Sequence, residues 1–201
     1  RDFCLSRGLG DVYKRQTLRL DRPLKMVTIC LGQMQTNCYI VENTKTNQAF
    51  VFDPGDQGER IMNTLEEDGM ELAGVCLTHG HFDHIMGIDD FLKAFPVPVY
   101  AGEDELPVIE DDRLNVSSMY GPKYAFHGAQ PVRDGQVIEC AGIEVDVLQT
   151  PGHTVGGCCY YLPKEHRLFS GDTLFCASIG RTDLPTGSSS QLVLSLIHIS
   201  E

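Results

Sequence analysis

Gly74-Val75-Cys76-Leu77-Thr78-His79-Gly80-His81-Phe82-Asp83-His84 is the stretch on which the reading of this chain turns. A small and apolar run gives way at Thr78 to three imidazoles and a carboxylate between residues 79 and 84. The 201-residue chain has 7 histidines in all, so three in one short polar turn reflect a chemical requirement and not composition. Neutral imidazole nitrogens and carboxylate oxygens are the ligands preferred by divalent zinc, iron or manganese. The short run rich in Val and Leu reads as a strand whose end holds the next residues on a rigid edge. Alternating spacing lets His79 and His81 project to the same side, while Asp83 and His84 diverge toward a neighbouring position. One turn of backbone can therefore serve two metal ions. A solvated polar loop is the competing reading, and repulsion within a histidine cluster argues against it.

Upstream, residues 26–31 and 37–41 read as strands, and 49–52 as a third that stops at Asp53-Pro54-Gly55, where Pro cannot continue a ladder and Gly supplies a turn. Residues 59–68 carry Ile61, Met62 and Leu65 at helical spacing. Downstream, a helix is expected over 87–94, a strand over 97–101, an acidic helix over 103–113 and a long loop over 115–130. Two hairpins follow, 136–140 with 143–149 about Ala141-Gly142, and 156–162 with 166–170. Strands at both ends with helices between and after them predict a mixed α/β domain of two packed sheets with helices outside.

Two later strand ends carry the residue types that the histidine turn lacks. His153 emerges in Pro151-Gly152-His153-Thr154 and Asp172 in Ser170-Gly171-Asp172-Thr173, each directly after an apolar run. A single Asp on a rigid strand end can place one oxygen on each of two cations.

The ordered set His79-x-His81-x-Asp83-His84, His153, Asp172 resembles the metallo-β-lactamase superfamily of metallo-hydrolases, and Asp53-Pro54-Gly55 matches that family's early strand-end motif. Gly180-Arg181-Thr182-Asp183 resembles its glyoxalase II-like branch, the hydroxyacylglutathione hydrolases and their short bacterial relatives. The resemblance covers residues 26–193 and implies a four-layer αββα sandwich, incomplete at its C-terminal end. It implies one metal on His79, His81 and His153, a second on Asp83 and His84, and Asp172 bridging both. The family's last ligand is a histidine farther downstream; His198 is not read as its substitute.

The implied reaction is attack of a metal hydroxide on a thioester or related acyl substrate, with two zinc ions expected and iron or manganese also compatible. Asp83 is the expected catalytic residue, orienting the nucleophile and accepting its proton. Arg181 and Asp183 receive no catalytic role, since an Arg–Asp pair holding its own loop explains them equally well. A persulfide dioxygenase with one iron is the alternative within the superfamily. A metal-binding module without turnover is the alternative outside enzymology.

Composition narrows the partners. A hydrophobic content of 42% and a formal net charge of −12 describe a globular chain that neither nucleic acid nor an anionic membrane would attract. No apolar run reaches the roughly 20 residues needed to span a bilayer. The 8 cysteines form no C-x-x-C pair, and those in apolar runs read as small core residues in a cytoplasmic protein.

The two termini are related at the nucleotide level. Residues 9–16 can be encoded by a string whose reverse complement translates into residues 194–201, and the string resembles the transposon-end adaptor used in sequencing libraries. Residues 1–16 and 194–201 are therefore expected to be translated adaptor flanking a truncated domain at 26–193, with 17–25 unassigned.

Overall fold

The computed structural model describes residues 23–200. In its first half β1 (Leu24–Leu31), β2 (Thr36–Asn43) and β3 (Gln48–Phe52) precede α1 (Gly58–Glu67) and β4 (Glu71–Cys76). Next come α2 (Phe82–Ile85), α3 (Ile88–Leu92) and β5 (Val99–Gly102). A 3-10 turn (Glu103–Glu105), α4 (Leu106–Ile109), α5 (Ser117–Tyr120) and β6 (Gln130–Val132) follow. In the second half β7 (Val137–Cys140), β8 (Ile143–Gln149), β9 (Cys158–Leu162) and β10 (Arg167–Phe169) lead to a small ribbon, β11 (Leu174–Phe175) with β12 (Ser178–Ile179). Helix α6 (Ser189–His198) comes last.

The first sheet runs β1 to β6 in chain order, antiparallel through β3 and parallel from β3 onward. Each parallel step needs a crossover, which α1, then α2 and α3, then the 3-10 turn with α4 and α5, supply. The second sheet is antiparallel, in the order β10-β9-β8-β7. Its first hairpin turns on Ala141 and Gly142, with φ of 54° and 71°, the paired positive values that match a right-handed strand twist.

Period-two alternation assigns each central strand two buried faces. Ala49 and Val51 of β3 join Ile61, Leu65, Ile85 and Ile88 on the helix side. Phe50 and Phe52 face the second sheet, with Val145, Val147, Tyr160 and Phe169. In β2, Cys38 and Ile40 turn to the helices and Tyr39 and Val41 to the other sheet. Strands covered on both sides read as unbroken apolar runs, as these do.

Phe52 is the keystone between the sheets. Its ring stacks on Phe169 at 3.9 Å and 15°, with Phe50 edge-on at 5.2 Å and Tyr160 tilted at 5.5 Å. Phe52→Ala should destabilise the fold by about 3–5 kcal/mol, because so dense a cluster cannot collapse into the gap. Urea unfolding should show a lower midpoint at unchanged slope. The Tyr160 hydroxyl donates to Leu77 O at 3.0 Å, fastening the second sheet to the residues just before the histidine turn.

Some expected elements differ. The acidic helix foreseen over 103–113 breaks after Ile109, where Asp111 accepts from the backbone and guanidinium of Arg113 and turns the chain. Helix α6 was not foreseen in its serine-rich stretch; Ser188 caps it, accepting from Gln191 N. Cys30 is exposed on β1, whereas Cys38, Cys76, Cys140, Cys158 and Cys159 are buried as expected. The expectations for residues 1–16 lie outside the described residues, and 194–198 fall within α6. No helix among the described residues is long and apolar enough to cross a membrane.

Candidate metal centre

Three strand ends converge on one place. The turn after β4 carries His79, His81, Asp83 and His84; the β8–β9 connection carries His153; the turn after β10 carries Asp172. His81 ends the extended part, with φ −64° and ψ 146°, and caps α2. The switch from extended to helical backbone sets Asp83 and His84 apart from His81, while the His84 ring stays 4.0 Å from that of His79. Two compact groups of ligand atoms result, each within 4.8 Å: His79, His81 and His153 in one, His79, His84 and Asp172 in the other. Asp172 spans them, with Oδ1 3.6 Å from His84 Nε2 and Oδ2 3.7 Å from His153 Nε2. Asp83 stands at the margin of the second group, Oδ2 3.6 Å from His84 Nε2, and accepts from the Thr36 hydroxyl at 2.6 Å.

Hydrogen bonds behind these residues decide which ring nitrogens face inward. Arg181 O lies 2.7 Å from His153 Nδ1, and a carbonyl only accepts, so Nδ1 carries the proton and Nε2 presents a lone pair. The Thr78 hydroxyl donates to Asp53 Oδ2 at 2.7 Å, so at 3.2 Å from His79 Nδ1 it accepts, leaving a lone pair on His79 Nε2. Asp53 Oδ1 also takes the Thr78 backbone N–H at 2.7 Å. Asp53 Oδ2 is 3.0 Å from His84 Nδ1, an ion-pair distance without hydrogen-bond angles, which turns His84 Nε2 toward Asp83 and Asp172. Asp53 holds this position at φ 50°, a left-handed backbone immediately before Pro54. Such strain persists where the surroundings over-determine it, and three contacts do so here.

Protein atoms alone leave this centre unsatisfied. His79 Nε2 and His81 Nε2 are buried without a hydrogen-bond partner. His81 Nδ1 and His153 Nε2 face each other at 2.9 Å. A proton on His81 Nδ1 bonds the pair but strands Nε2 as a bare acceptor; a proton on Nε2 opposes two lone pairs. A cation between the rings removes the conflict, so the residues fit a metal.

The charges agree. Burial, reinforced by the neighbouring imidazoles, holds His79 well below the ordinary histidine range and His81 down at about 3. Burial also lowers His153, against the pull of Asp172. These rings are neutral near pH 7 and their lone pairs are available. His84 is the opposite case: burial opposes its charge, but Asp83, Asp53 and Asp172 together raise it well above the usual value. Burial likewise opposes ionised Asp172, yet His84, His153 and His81 hold it down at about 2. In the second group a proton on His84 occupies the role that a divalent cation would take, and binding would release it.

All six proposed ligand residues thus stand together. His198 does not join them; it is about half exposed with Nε2 3.5 Å from Asp134 Oδ1. Arg181 and Asp183 pair with each other through two 2.7 Å bonds at the surface. The contribution of that loop is the Arg181 carbonyl, with Gly180 beneath it: a Cβ there would lie 1.7 Å from Asp172 O. Burial raises the Cys158 and Cys159 thiols, which disfavours redox chemistry at this vicinal pair. Sequence reading missed the supporting roles of Asp53, Thr78 and Thr36. The strand-exit position of Asp53 and the adjacency of Thr78 to His79 were usable signals; Thr36 offered none.

Comparison with known proteins places this geometry. The model of the metallo-beta-lactamase superfamily matches residues 31–200. "Probable metallo-hydrolase YqgX" of Bacillus subtilis is 34% identical over 170 residues, covering 84% of this chain and 79% of the relative. "Hydroxyacylglutathione hydrolase GloC" of Haemophilus influenzae is 28% identical, covering 81% of this chain and 77% of the relative. Among solved structures, the BLEG-1 B3 metallo-beta-lactamase superposes with a TM-score of 0.81 at 36% identity, covering 86% of this chain and 84% of the other. TTHA1623, solved in a di-iron-bound form, gives 0.75 at 32% identity, covering 86% and 85%.

Proposed function

This chain belongs to the metallo-beta-lactamase superfamily, and on that premise we propose that it is a dinuclear metal-dependent hydrolase of thioesters or related acyl substrates. The observation that carries the reading is the pair of compact ligand groups, sharing His79 and spanned by Asp172. His79, His81 and His153 would hold one cation, Asp83 and His84 the other, and Asp172 both. When bound, such a pair of divalent cations supplies Lewis acidity that makes water a nucleophile near neutral pH and polarises a carbonyl. Zinc suits the mixed nitrogen and oxygen donors, and the di-iron form of TTHA1623 keeps iron in view.

The chain's own groups orient and carry protons. The Thr36 hydroxyl donates to Asp83 Oδ2 and so fixes the carboxylate at the margin of the second group, where it can orient the attacking water and take its proton. His79 and His153 keep their one proton on Nδ1, turned away from the centre, and both rings are neutral near pH 7, so they are poor acids for a leaving group. A thiolate leaves near neutral pH with little acid assistance, which favours a thioester over an amide. The name of GloC, a relative acting on a hydroxyacyl thioester of glutathione, supports the same substrate class.

Stripping the protein with a chelator should lower hydrolysis of a hydroxyacyl-glutathione thioester at least 100-fold, and zinc should restore it. One iron per chain, with oxygen consumed on a persulfide and no hydrolysis, would replace this reading by the dioxygenase. Opening of a β-lactam ring without thioester cleavage would replace the substrate class.

A further inference from the structure

Glu103, Asp104 and Glu105 form an acidic run that a reader of the sequence would leave in solvent, yet each carboxylate takes a different direction. Glu103 receives two bonds from Arg133, at 2.8 and 2.7 Å, and Asp104 receives Gln149 Nε2 at 2.9 Å. Glu105 turns inward and is 0% exposed. Its Oε1 accepts the Gly80 N–H at 2.7 Å and its Oε2 the Gly156 N–H at 2.8 Å. Gly80 separates His79 from His81, and Gly156 closes the loop that carries His153. That loop is cinched at its base by Thr150 N donating to Gly157 O at 2.7 Å. Glu105 therefore touches both backbone segments that present the three-imidazole group.

We propose that Glu105 is a positioning residue that clamps these two loops together and sets the spacing of His79, His81 and His153 before a cation arrives. The proposal rests on the metal-centre reading above. Burying a carboxylate is costly unless its oxygens are bonded, and a purely structural contact here could be apolar. Two parallel N–H donors on separate loops demand an acceptor at each end, which a carboxylate offers and an amide does not. The approach is tight: a Cβ on Gly156 would lie 2.1 Å from Glu105 N. Only glycine lets the loop come within reach.

Glu105→Gln keeps volume and burial but turns an NH2 toward one of the two N–H donors. Competition with a chromophoric chelator for zinc should show affinity at the three-imidazole group falling about 10–100-fold, the size of effect that outer partners of metal ligands exert. Glu105→Asp, one methylene short of spanning both loops, should behave alike, and Glu103→Ala should bind as the parent does. His79→Ala serves as the reference. Parent-like affinity in Glu105→Gln and Glu105→Asp, with loss in His79→Ala, would overturn the clamp and leave the metal centre standing. Undiminished binding in His79→Ala would instead overturn the metal centre itself. Hydrogen exchange on the metal-free parent needs no variant to fold: the Gly80 and Gly156 amides should be as protected as those of β4. Rapid exchange at both would show that no clamp exists before metal binds.

Discussion

Asp172→Asn should reduce thioester turnover by more than the ~10–100-fold that removing an outer partner of a metal ligand costs. Asp172 directs one oxygen to each ligand group, at 3.6 Å from His84 Nε2 and 3.7 Å from His153 Nε2. Its carboxyl is held at about 2, so both oxygens are anionic at any working pH. The amide keeps the shape, removes the charge that would offset two cations, and leaves one good ligand atom in place of two. Thr173→Ala is the matched control. The Thr173 hydroxyl is buried against Thr150 Oγ1 at 3.2 Å, so its loss should cost about 1 kcal/mol of stability and leave kcat near the parent value. Turnover is to be compared at metal occupancy verified by elemental analysis. Equal kcat in the two variants would remove Asp172 from the centre.

Asp53→Ala should weaken zinc binding on the order of 100-fold although Asp53 belongs to neither ligand group. Through the Thr78 hydroxyl it fixes the tautomer of His79, and from 3.0 Å it turns His84, so one carboxylate orients a ligand in each group. Alanine also leaves the buried Thr78 N–H without its acceptor, which adds a stability loss of about 1–3 kcal/mol. Asp53→Asn tolerates the left-handed backbone and retains one acceptor, so it should fall between the two. A zinc competition titration beside urea unfolding separates the effects: lower stability with parent affinity would reduce Asp53 to a strand-end brace.

The ligand types and their order were legible because they are local. His79 to His84 sit within one turn, and His153 and Asp172 each follow an apolar run that reads as a strand, a weak signal alone that gains force from its order after the histidine turn. The central strands were equally legible, since burial on two faces leaves unbroken apolar sequence in 49–52 and 73–77. Where local hydrogen bonds compete with the backbone the reading failed, as at Asp111, which cuts the expected acidic helix short.

What the sequence by itself determined, then, is the inventory of candidate metal-binding groups and the alternation that puts two sheets face to face. Tertiary structure alone decided which nitrogen of His79, His84 and His153 looks inward and which groups hold it there. Thr36 meets Asp83 across 47 positions, Arg181 meets His153 across 28, and Glu105 reaches Gly80 across 25 and Gly156 across 51. Side-chain periodicity says which face a residue occupies, but partners so far apart are brought together by strand order and register, which no local spacing encodes.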